Sequence, residues 1–272
     1  MTLGPKPEGS QRPATGLVRH DDGGLVWYEA GGAGWRAAFS TRLGGCSAAP
    51  FDSLNLGIST ADDPACVWRN RVAFAAAAGV AADDLVVAGQ VHGTAIAEVG
   101  MGHLGRGAHG PSDVVPEADG LLTRAAGVPL FVSFADCVPV LLATGRPAQA
   151  LALVHAGWRG MVAGIVGEAA RALGASDTAR SAVIGPSIGP CCFAVSPDVG
   201  ERFEEDFPGT WRDGRVDLWE AARRQLLAAG FAASDIVTSG LCTCHDHEFF
   251  SHRREHGATG RQAAVAWLQE VS

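Results

Sequence analysis

The chain has 272 residues and a net charge of −8, and its content of 47% hydrophobic and 18% charged residues is typical of a folded protein rather than a disordered one. Its 21 basic residues provide no basic footprint for nucleic acid, and no apolar run approaches the roughly 20 residues of a membrane helix. No membrane or protein partner is therefore implied, and the odd number of seven cysteines predicts reduced thiols in a cytoplasmic protein.

Predicted elements begin after residues 1–24, which we interpret as a mobile tail, and they lie in one domain over residues 25–272. Apolar runs bounded by turn residues predict strands at 26–30, 35–41, 84–93, 118–123, 129–137, 138–143, 151–157, 181–185 and 235–240. Helical spacing with capping residues predicts helices at 65–79, 160–173, 198–207, 216–230 and 260–268. Strands and helices are interspersed without even alternation, which predicts a single domain of mixed α/β class.

Three chemically active side chains stand at the ends of predicted strands, namely His92, Cys137 and His155. Ligands commonly bind where strands end and the chain turns into a crevice. If the three ends converge, two His and one Cys leave one tetrahedral position of a zinc ion open, as in catalytic sites. Water in that position becomes a hydroxide nucleophile near neutral pH. The same residues are also compatible with a Cys137 nucleophile and a His155 base. A third interpretation is that the three side chains are buried separately and share no site.

Two further patterns resemble known motifs without matching them fully. Residues 185–189 fit the G-x-S-x-G nucleophile elbow, but Pro190 follows where an elbow needs a helix, so we favour a turn. Two Cys and four His lie within residues 242–256, but their spacing fits no standard metal motif. We therefore assign neither segment a catalytic role.

Several polar side chains are candidates for binding a substrate. Arg254 and Arg261 carry guanidinium forks that match phosphate or carboxylate oxygens, although surface ion pairs explain them equally well. Arg42 and Asn55 share a Gly-rich loop that follows a strand, so both are predicted to point into a cleft. Asp136 precedes the candidate ligand Cys137 and is predicted either to orient a ligand or to cap a turn.

Eight motifs appear in one order along about residues 36–268, and together they carry a specific family resemblance. They are FSTRLGGCSAAPFDSLNLG, DDPACVWRNR, QVHG, ADGLL, ADCVPVLL, VHAGWRG, IGPSIGPCCFAV and FFSHRREHGATGRQAAVAWL. The chain resembles the bacterial family named for a multicopper polyphenol oxidase, or laccase, domain. That family is also called the peptidoglycan editing factor or purine nucleoside phosphorylase family.

The resemblance implies a layered sandwich of mixed β-sheets flanked by helices, with a metal site of two His and one Cys. The motifs QVHG, ADC and VHAGWRG place these ligands at His92, Cys137 and His155. We expect Zn²⁺ rather than copper, because the one His-x-His pair, His245 and His247, stands alone. His252 also departs from the family pattern, which has a Tyr at that position.

Members of this family resemble purine nucleoside enzymes, so the resemblance implies two reactions. One is the phosphorolysis of adenosine, inosine and S-methyl-5'-thioadenosine, and the other is the hydrolytic deamination of adenosine. Phosphorolysis needs an anion clamp, for which Arg42 is our first candidate. The catalytic candidates are Cys137, His155 and Arg42, and the substrate-binding candidates are Arg42, Asn55, Asp136, Arg254 and Arg261.

Other functions remain open at this point. Cys137 and His155 suit a metal-independent amidase that edits peptidoglycan precursors. A zinc ion with four protein ligands suits a non-catalytic protein instead. Copper in the same site suits an oxidase, as the laccase name implies.

Overall fold

The computed structural model of the chain describes residues 16–174 and 179–270. The strands in these residues are β1 (Val18–Asp22), β2 (Leu25–Gly32), β3 (Trp35–Ser40), β4 (Val86–Val87), β5 (Ile96–Val99), β6 (Gly120–Thr123), β7 (Leu130–Phe134), β8 (Val138–Gly145), β9 (Ala148–Ala156), β10 (Arg180–Ile184), β11 (Trp211–Arg212), β12 (Arg215–Val216), β13 (Ile236–Thr238) and β14 (Gln262–Leu268). The α-helices are α1 (Pro64–Ala78), α2 (Trp158–Val162), α3 (Ile165–Leu173), α4 (Pro197–Asp206) and α5 (Leu218–Ala228). Short 3-10 helices lie at Ala82–Asp84, Met101–His103, Pro111–Asp113 and Ala233–Asp235.

Two six-stranded sheets form the body of the molecule. The first has the order β1-β2-β3-β14-β7-β4, and its pairs are antiparallel except for β4 with β7. The second has the order β13-β10-β8-β9-β6-β5, with antiparallel pairs at its centre and a parallel pair at each side. Strands β11 and β12 form a separate ribbon. Both large sheets are therefore mixed, as predicted.

Alternating side chains along the strands build three apolar layers. Leu141 of the second sheet faces the first sheet and packs in one cluster with Phe39. Its neighbour Val140 points to the opposite face, in the cluster that includes residues of helices α2 to α5. On the outer face of the first sheet, Phe131 packs in a cluster with Phe74 of α1. The result is a helix–sheet–sheet–helix sandwich, which confirms the predicted layered fold.

Helix α1 illustrates how local sequence sets the ends of an element. The Asp63 side chain accepts a hydrogen bond from the Ala65 N–H, and Pro64 occupies the first turn, where no N–H is needed. Gly79 ends the helix in the left-handed conformation, with φ 82°. These features confirm the helix predicted at 65–79.

The predicted closing helix at 260–268 is wrong, because this segment forms strand β14 between β3 and β7. Ala264 and Ala266 face the core between the sheets, whereas Ala263 and Val265 face the α1 side. A strand buried on both faces has no polar positions. Its apolar run therefore cannot be distinguished from a buried helix by periodicity.

Two other predicted boundaries also need correction. Residues 18–22 form strand β1, paired with β2, so the organised chain starts before Leu25, and residues 1–15 lie outside the described residues. The predicted helix at 160–173 is divided into α2 and α3 because Gly164, with φ 85°, interrupts it. Within the two described ranges, no helix is long and apolar enough to cross a membrane.

Candidate metal centre

The structure brings the three predicted ligands together. The ligand atoms of His92, Cys137 and His155 all lie within 4.8 Å of one another. Cys137 Sγ is 4.0 Å from His92 Nε2, and the two imidazole rings are 5.0 Å apart. His155 is buried, Cys137 is half-buried and His92 is exposed. An ion therefore has access to the three donors from the side of His92.

His92 is positioned by a backbone turn rather than by the end of a strand. Strand β4 ends at Val87, and His92 lies in a loop with φ 63°. The consecutive N–H groups of residues 91, 92 and 93 donate to the Asp119 carboxylate at 3.0, 2.9 and 2.7 Å. The prediction of a strand over 84–93 is therefore wrong beyond β4, because Asp119 holds these residues in a turn.

Asp119 also orients His155. Its Oδ1 lies 3.0 Å from His155 Nδ1, so the Nδ1 proton points to this carboxylate, and a metal ion bound at Nε2 would take the place of the second ring proton. Burial opposes ionisation of Asp119, but the hydrogen bond from His155 and those from backbone amides lower its pKa. Sequence reasoning missed this residue. A partial signal was present, because Asp119 lies in the ADGLL motif and metal-binding His residues commonly pair with a carboxylate.

Cys137 follows Asp136 in the tight turn between β7 and β8, where Asp136 has φ 88°. Asp136 Oδ1 accepts a hydrogen bond from Thr243 Oγ1 at 2.7 Å. Its Oδ2 accepts bonds from Ser251 Oγ at 3.1 Å and from the Arg253 N–H at 2.7 Å. Three donors thus occupy the Asp136 carboxylate and fix the turn that presents Cys137 to the two His rings.

The site favours the thiolate form of Cys137, which is the form that binds metals. Burial opposes ionisation, but the charge of His155 and hydrogen bonds from both His residues lower the pKa of Cys137 to about 6. Burial disfavours the charged form of His155 as well, yet Cys137 and Asp119 raise the pKa of His155 to about 9. The thiolate is therefore available to a cation near neutral pH.

The donor set fits a catalytic zinc ion, because two imidazole nitrogens and one thiolate leave a fourth position open. Blue-copper sites use the same three ligands with a weak axial Met. Among the described residues, Met161 Sδ accepts a bond from Gln225 Nε2 at 3.3 Å, and Met101 is 59% exposed. Among the described residues, neither Met lines the cavity at the three ligands.

A cavity of about 590 Å³ opens onto the three ligands, which is within the roughly 300–1,000 Å³ range of small-molecule sites. Polar side chains that line it include Gln90, Asp136, Arg159, His252, Arg253 and Arg261. The Arg159 guanidinium lies 4.4 Å from the centre of the Trp158 ring. Burial lowers the pKa of Arg261, while the negative charges of Cys137 and Asp136 act in the opposite direction. A cationic wall therefore stands beside the candidate metal ligands.

Comparison with known proteins decides the family. The family model described as multi-copper polyphenol oxidoreductase laccase matches residues 36–269. The chain belongs to this laccase family. A relative from Geobacillus stearothermophilus named purine nucleoside phosphorylase YlmD is 39% identical over an alignment of 254 residues that covers 88% of this chain and 92% of the relative. A purine nucleoside phosphorylase from Deinococcus radiodurans is 38% identical over 238 residues, covering 85% of this chain and 88% of the relative.

Solved structures of the laccase family share the fold. The crystal structure of YlmD from Geobacillus stearothermophilus matches with a TM-score of 0.86 at 38% identity, covering 93% of this chain and 100% of that chain. The crystal structure of hypothetical protein YfiH from Bacillus licheniformis matches with a TM-score of 0.80 at 34% identity, covering 86% of this chain and 93% of that chain. The sandwich is therefore the laccase-family fold.

The structure does not bring Arg42 to the cavity of this laccase-family protein. The Arg42 guanidinium forms ion pairs with Glu255 at 2.6 Å and with Asp52 at 3.2 Å. Its Nε also donates to the Asp52 carbonyl at 2.7 Å. Two carboxylates already neutralise this cation, so the predicted phosphate clamp at Arg42 has no free fork to offer.

Asn55 and Arg254 also lie outside the cavity lining. Asn55 is fully buried and donates to Thr60 Oγ1 at 2.8 Å and to Asp62 Oδ2 at 2.9 Å. Arg254 donates to backbone carbonyls, including that of Thr243 at 2.7 Å. Both side chains organise loops around the site. Of the predicted substrate-binding residues, the structure therefore places only Asp136 and Arg261 at the cavity.

The structure also shows where the two other motif-like segments, residues 185–189 and 242–256, lie. Ser187 is fully buried and accepts a hydrogen bond from Trp219 Nε1 at 2.7 Å, and α4 begins ten positions later at Pro197. The segment is therefore a turn, as predicted, and not a nucleophile elbow. His245 and His247 are exposed, and neither belongs to a potential metal-binding group among the described residues.

Gly157 leaves the space that the metal ligands occupy. A Cβ at this position would lie 2.7 Å from His92 Cδ2 and 3.3 Å from Cys137 Sγ. We expect Gly157→Ala to fold normally, because φ at this position is −70°, an ordinary value for alanine. Displaced ligands should lower metal affinity by about tenfold or more, measured by competition with a zinc chelator. Gly167→Ala is the matched control, because its Cβ would meet one atom, at 4.0 Å, and unchanged affinity in both variants would contradict this role of Gly157.

Proposed function

We propose that this protein is a zinc-dependent purine nucleoside phosphorylase that acts on adenosine, inosine and S-methyl-5'-thioadenosine, and that it also deaminates adenosine hydrolytically. The observation that carries the proposal is the convergence of His92, Cys137 and His155 at a cavity that Arg261 also lines. The names of the relatives support the phosphorolytic reaction. Seven free cysteines support a cytoplasmic location.

Phosphorolysis breaks the bond between the ribose anomeric carbon and the purine nitrogen, and forms a bond from that carbon to a phosphate oxygen. The leaving purine takes up the proton that the attacking hydrogen phosphate gives up. A zinc ion bound by His92, Cys137 and His155 would supply a Lewis acid to this site. Arg261 and Arg253 line the cavity with positive charge, and their guanidinium forks match phosphate oxygens. Their role is to bind and orient the anionic co-substrate.

The remaining residues of the site hold this arrangement in place. Asp119 keeps the proton of His155 on Nδ1 and fixes the orientation of the ring. Gln90 ties the His92 turn to β7, since its Nε2 donates to the Ser133 carbonyl at 2.6 Å and its Oε1 accepts from the Ser133 N–H at 2.9 Å. Rotation of the ligands away from the cavity therefore requires these buried contacts to break.

The decisive test is turnover of adenosine and inosine with and without phosphate. Free purine, ribose 1-phosphate and ammonia are measured by chromatography and a coupled assay. We expect purine release only with phosphate, inosine formation from adenosine without phosphate, and loss of both after chelation until Zn²⁺ is restored. Purine release that does not depend on phosphate would contradict the phosphorylase. Restoration by copper but not by zinc would contradict the metal assignment.

A metal-independent amidase is a second candidate, and one observation favours it. Cys137 lies near a His155 that Asp119 orients, which is the order of thiol, imidazole and carboxylate used by cysteine hydrolases. Such an enzyme would cleave an amide of a peptidoglycan precursor. Full activity on muropeptides after chelation, abolished by alkylation of Cys137, would select this function over the first.

We expect Arg261→Ala to raise KM for phosphate by about tenfold or more, because it removes charge-assisted hydrogen bonds to an anion. KM for the nucleoside should change little. Initial rates at varied phosphate measure both values. Arg261→Lys keeps the charge but not the fork, so it should fall between the wild type and the alanine variant.

Arg42→Ala tests the alternative clamp under the same conditions. Because Arg42 pairs with Asp52 and Glu255, this change should lower thermal stability and leave KM for phosphate near the wild-type value. A large rise in KM for phosphate with Arg42→Ala, and none with Arg261→Ala, would reverse the assignment.

A further inference from the structure

A second group of sulfur atoms lies where the turn after β10 meets the loop after β13. Cys191 Sγ is 3.4 Å from Cys192 Sγ and 3.5 Å from Cys242 Sγ, and the three sulfurs lie within 4.8 Å of one another. We call these residues the thiol cluster. It shares no residue with the centre formed by His92 and its partners.

One side of the thiol cluster is accessible to solvent, and the opposite side is buried and held by hydrogen bonds. Cys191 is exposed, whereas Cys242 is buried and its sulfur accepts a hydrogen bond from the Gly189 N–H at 3.2 Å. The two segments are joined by backbone hydrogen bonds, from the Ser187 N–H to the Leu241 carbonyl at 3.1 Å and from the Thr243 N–H to the Ser187 carbonyl at 3.0 Å. The sulfur atoms are thus held together before any ion arrives.

The three sulfur atoms of the thiol cluster lie close enough for the charge of one to affect the others. A hydrogen bond from Cys191, supported by the Gly189 N–H, lowers the pKa of Cys242 to about 6. The same contact raises the pKa of Cys191, and burial together with the charge of Cys242 raises that of Cys192 to about 12. A metal ion bound by the three sulfurs would displace the thiol protons.

We propose that Cys191, Cys192 and Cys242 form a second metal site, which binds monovalent copper. The cluster offers only sulfur, which soft ions prefer and which Ca²⁺ and Mg²⁺ avoid. Structural zinc takes four protein ligands, whereas Cu(I), a soft d¹⁰ ion, is satisfied by three thiolates. Binding forms three Cu–S bonds and releases the thiol protons to solvent, with no change in oxidation state.

An ion in the thiol cluster would cross-link the two segments that support Asp136. The Ile188 N–H donates to the Asp136 carbonyl at 2.9 Å, and Thr243 Oγ1 donates to its carboxylate at 2.7 Å. Asp136 precedes Cys137 in the chain. Copper binding should therefore stabilise the turn that carries Cys137, and this inference does not depend on the proposed enzyme activity.

The test uses the full-length reduced protein under anaerobic conditions, with Cu(I) supplied from its bicinchoninate complex. Cys137→Ser serves as the background, because it removes the thiolate of the other centre. We expect this variant to withdraw one equivalent of Cu(I) from the chelator, and X-ray absorption to show only sulfur neighbours. Adding Cys191→Ser, an exposed position, should abolish this uptake. Far-ultraviolet circular dichroism and thermal unfolding check that each variant is folded.

Cys46 provides the matched control, since Cys46 Sγ lies 2.9 Å from Cys66 Sγ in a separate pair. Cys46→Ser in the same background should retain the full equivalent of Cu(I). Loss of uptake with Cys46→Ser rather than Cys191→Ser would overturn the proposal. No uptake by the folded, fully reduced Cys137→Ser variant would overturn it too. Isolation of a Cys191–Cys242 disulfide whose reduced form takes up no Cu(I) would identify a redox pair instead.

Discussion

Replacing His155 with alanine is expected to lower kcat/KM for phosphorolysis by about a hundredfold to a thousandfold, since a Lewis acid contributes several kcal/mol of transition-state stabilisation. The substitution removes one of the three donors that lie within 4.8 Å of one another. It also removes the hydrogen bond to Asp119. Metal content should fall together with activity, because two remaining donors bind a metal ion weakly.

The measurement pairs kinetics with metal analysis of the same protein samples. His245→Ala is the matched control, because His245 is exposed and lies outside the candidate centre. It should keep both the wild-type rate and the wild-type metal content. A His155→Ala enzyme that binds no metal but works at the normal rate would show that the metal has no catalytic role.

Asp119→Asn is expected to lower metal affinity by about 10- to 100-fold, as changes beside a metal-binding His commonly do. The buried carboxylate accepts the N–H groups of residues 91–93 and the His155 ring in one place. An amide turns its own N–H₂ group toward some of these donors. Each buried donor left unpaired costs about 1–3 kcal/mol, so the free energy of unfolding should also decrease.

Two readouts separate these effects of Asp119→Asn. Chelator competition measures metal affinity, and denaturant unfolding of the metal-free protein measures stability. Asp213→Asn is the control, because Asp213 is exposed in the turn between β11 and β12, and asparagine accepts its φ of 50°. A metal affinity that stays at the wild-type value would exclude Asp119 as the residue that orients His155.

Helices with a polar face and explicit caps are predictable from this sequence. Asp63 and Gly79 set the ends of α1, and Asp217 caps α5 by accepting a bond from the Glu220 N–H. Strand β14 was not predictable, because an all-apolar segment such as 263–266 carries the same pattern in a strand and in a buried helix. Pairing with β3 and β7, which lie far away in the chain, decides that this segment is a strand.

In the candidate centre, too, the features that depend on local sequence could be predicted, and those that depend on contacts between distant residues could not. His92, Cys137 and His155 could be grouped from their positions beside predicted strand ends and from the family motifs. Arg42 could not be excluded from the sequence, because Glu255, one of the two carboxylates that neutralise it, lies 213 positions away. Asp119 was missed because its importance depends on a three-dimensional contact with the turn at residues 91–93.

The position of β14 has a consequence for synthesis of the protein. The Ala263 N–H donates to the side chain of Ser40, which lies 223 positions earlier. At translation rates of about 5–20 residues per second, β14 is synthesised roughly 10 seconds or more after β3. Until β14 is made, β3 and later also β7 expose an open strand edge, which pairs readily with other chains. We expect the nascent chain to be the state most prone to aggregation and most dependent on chaperones.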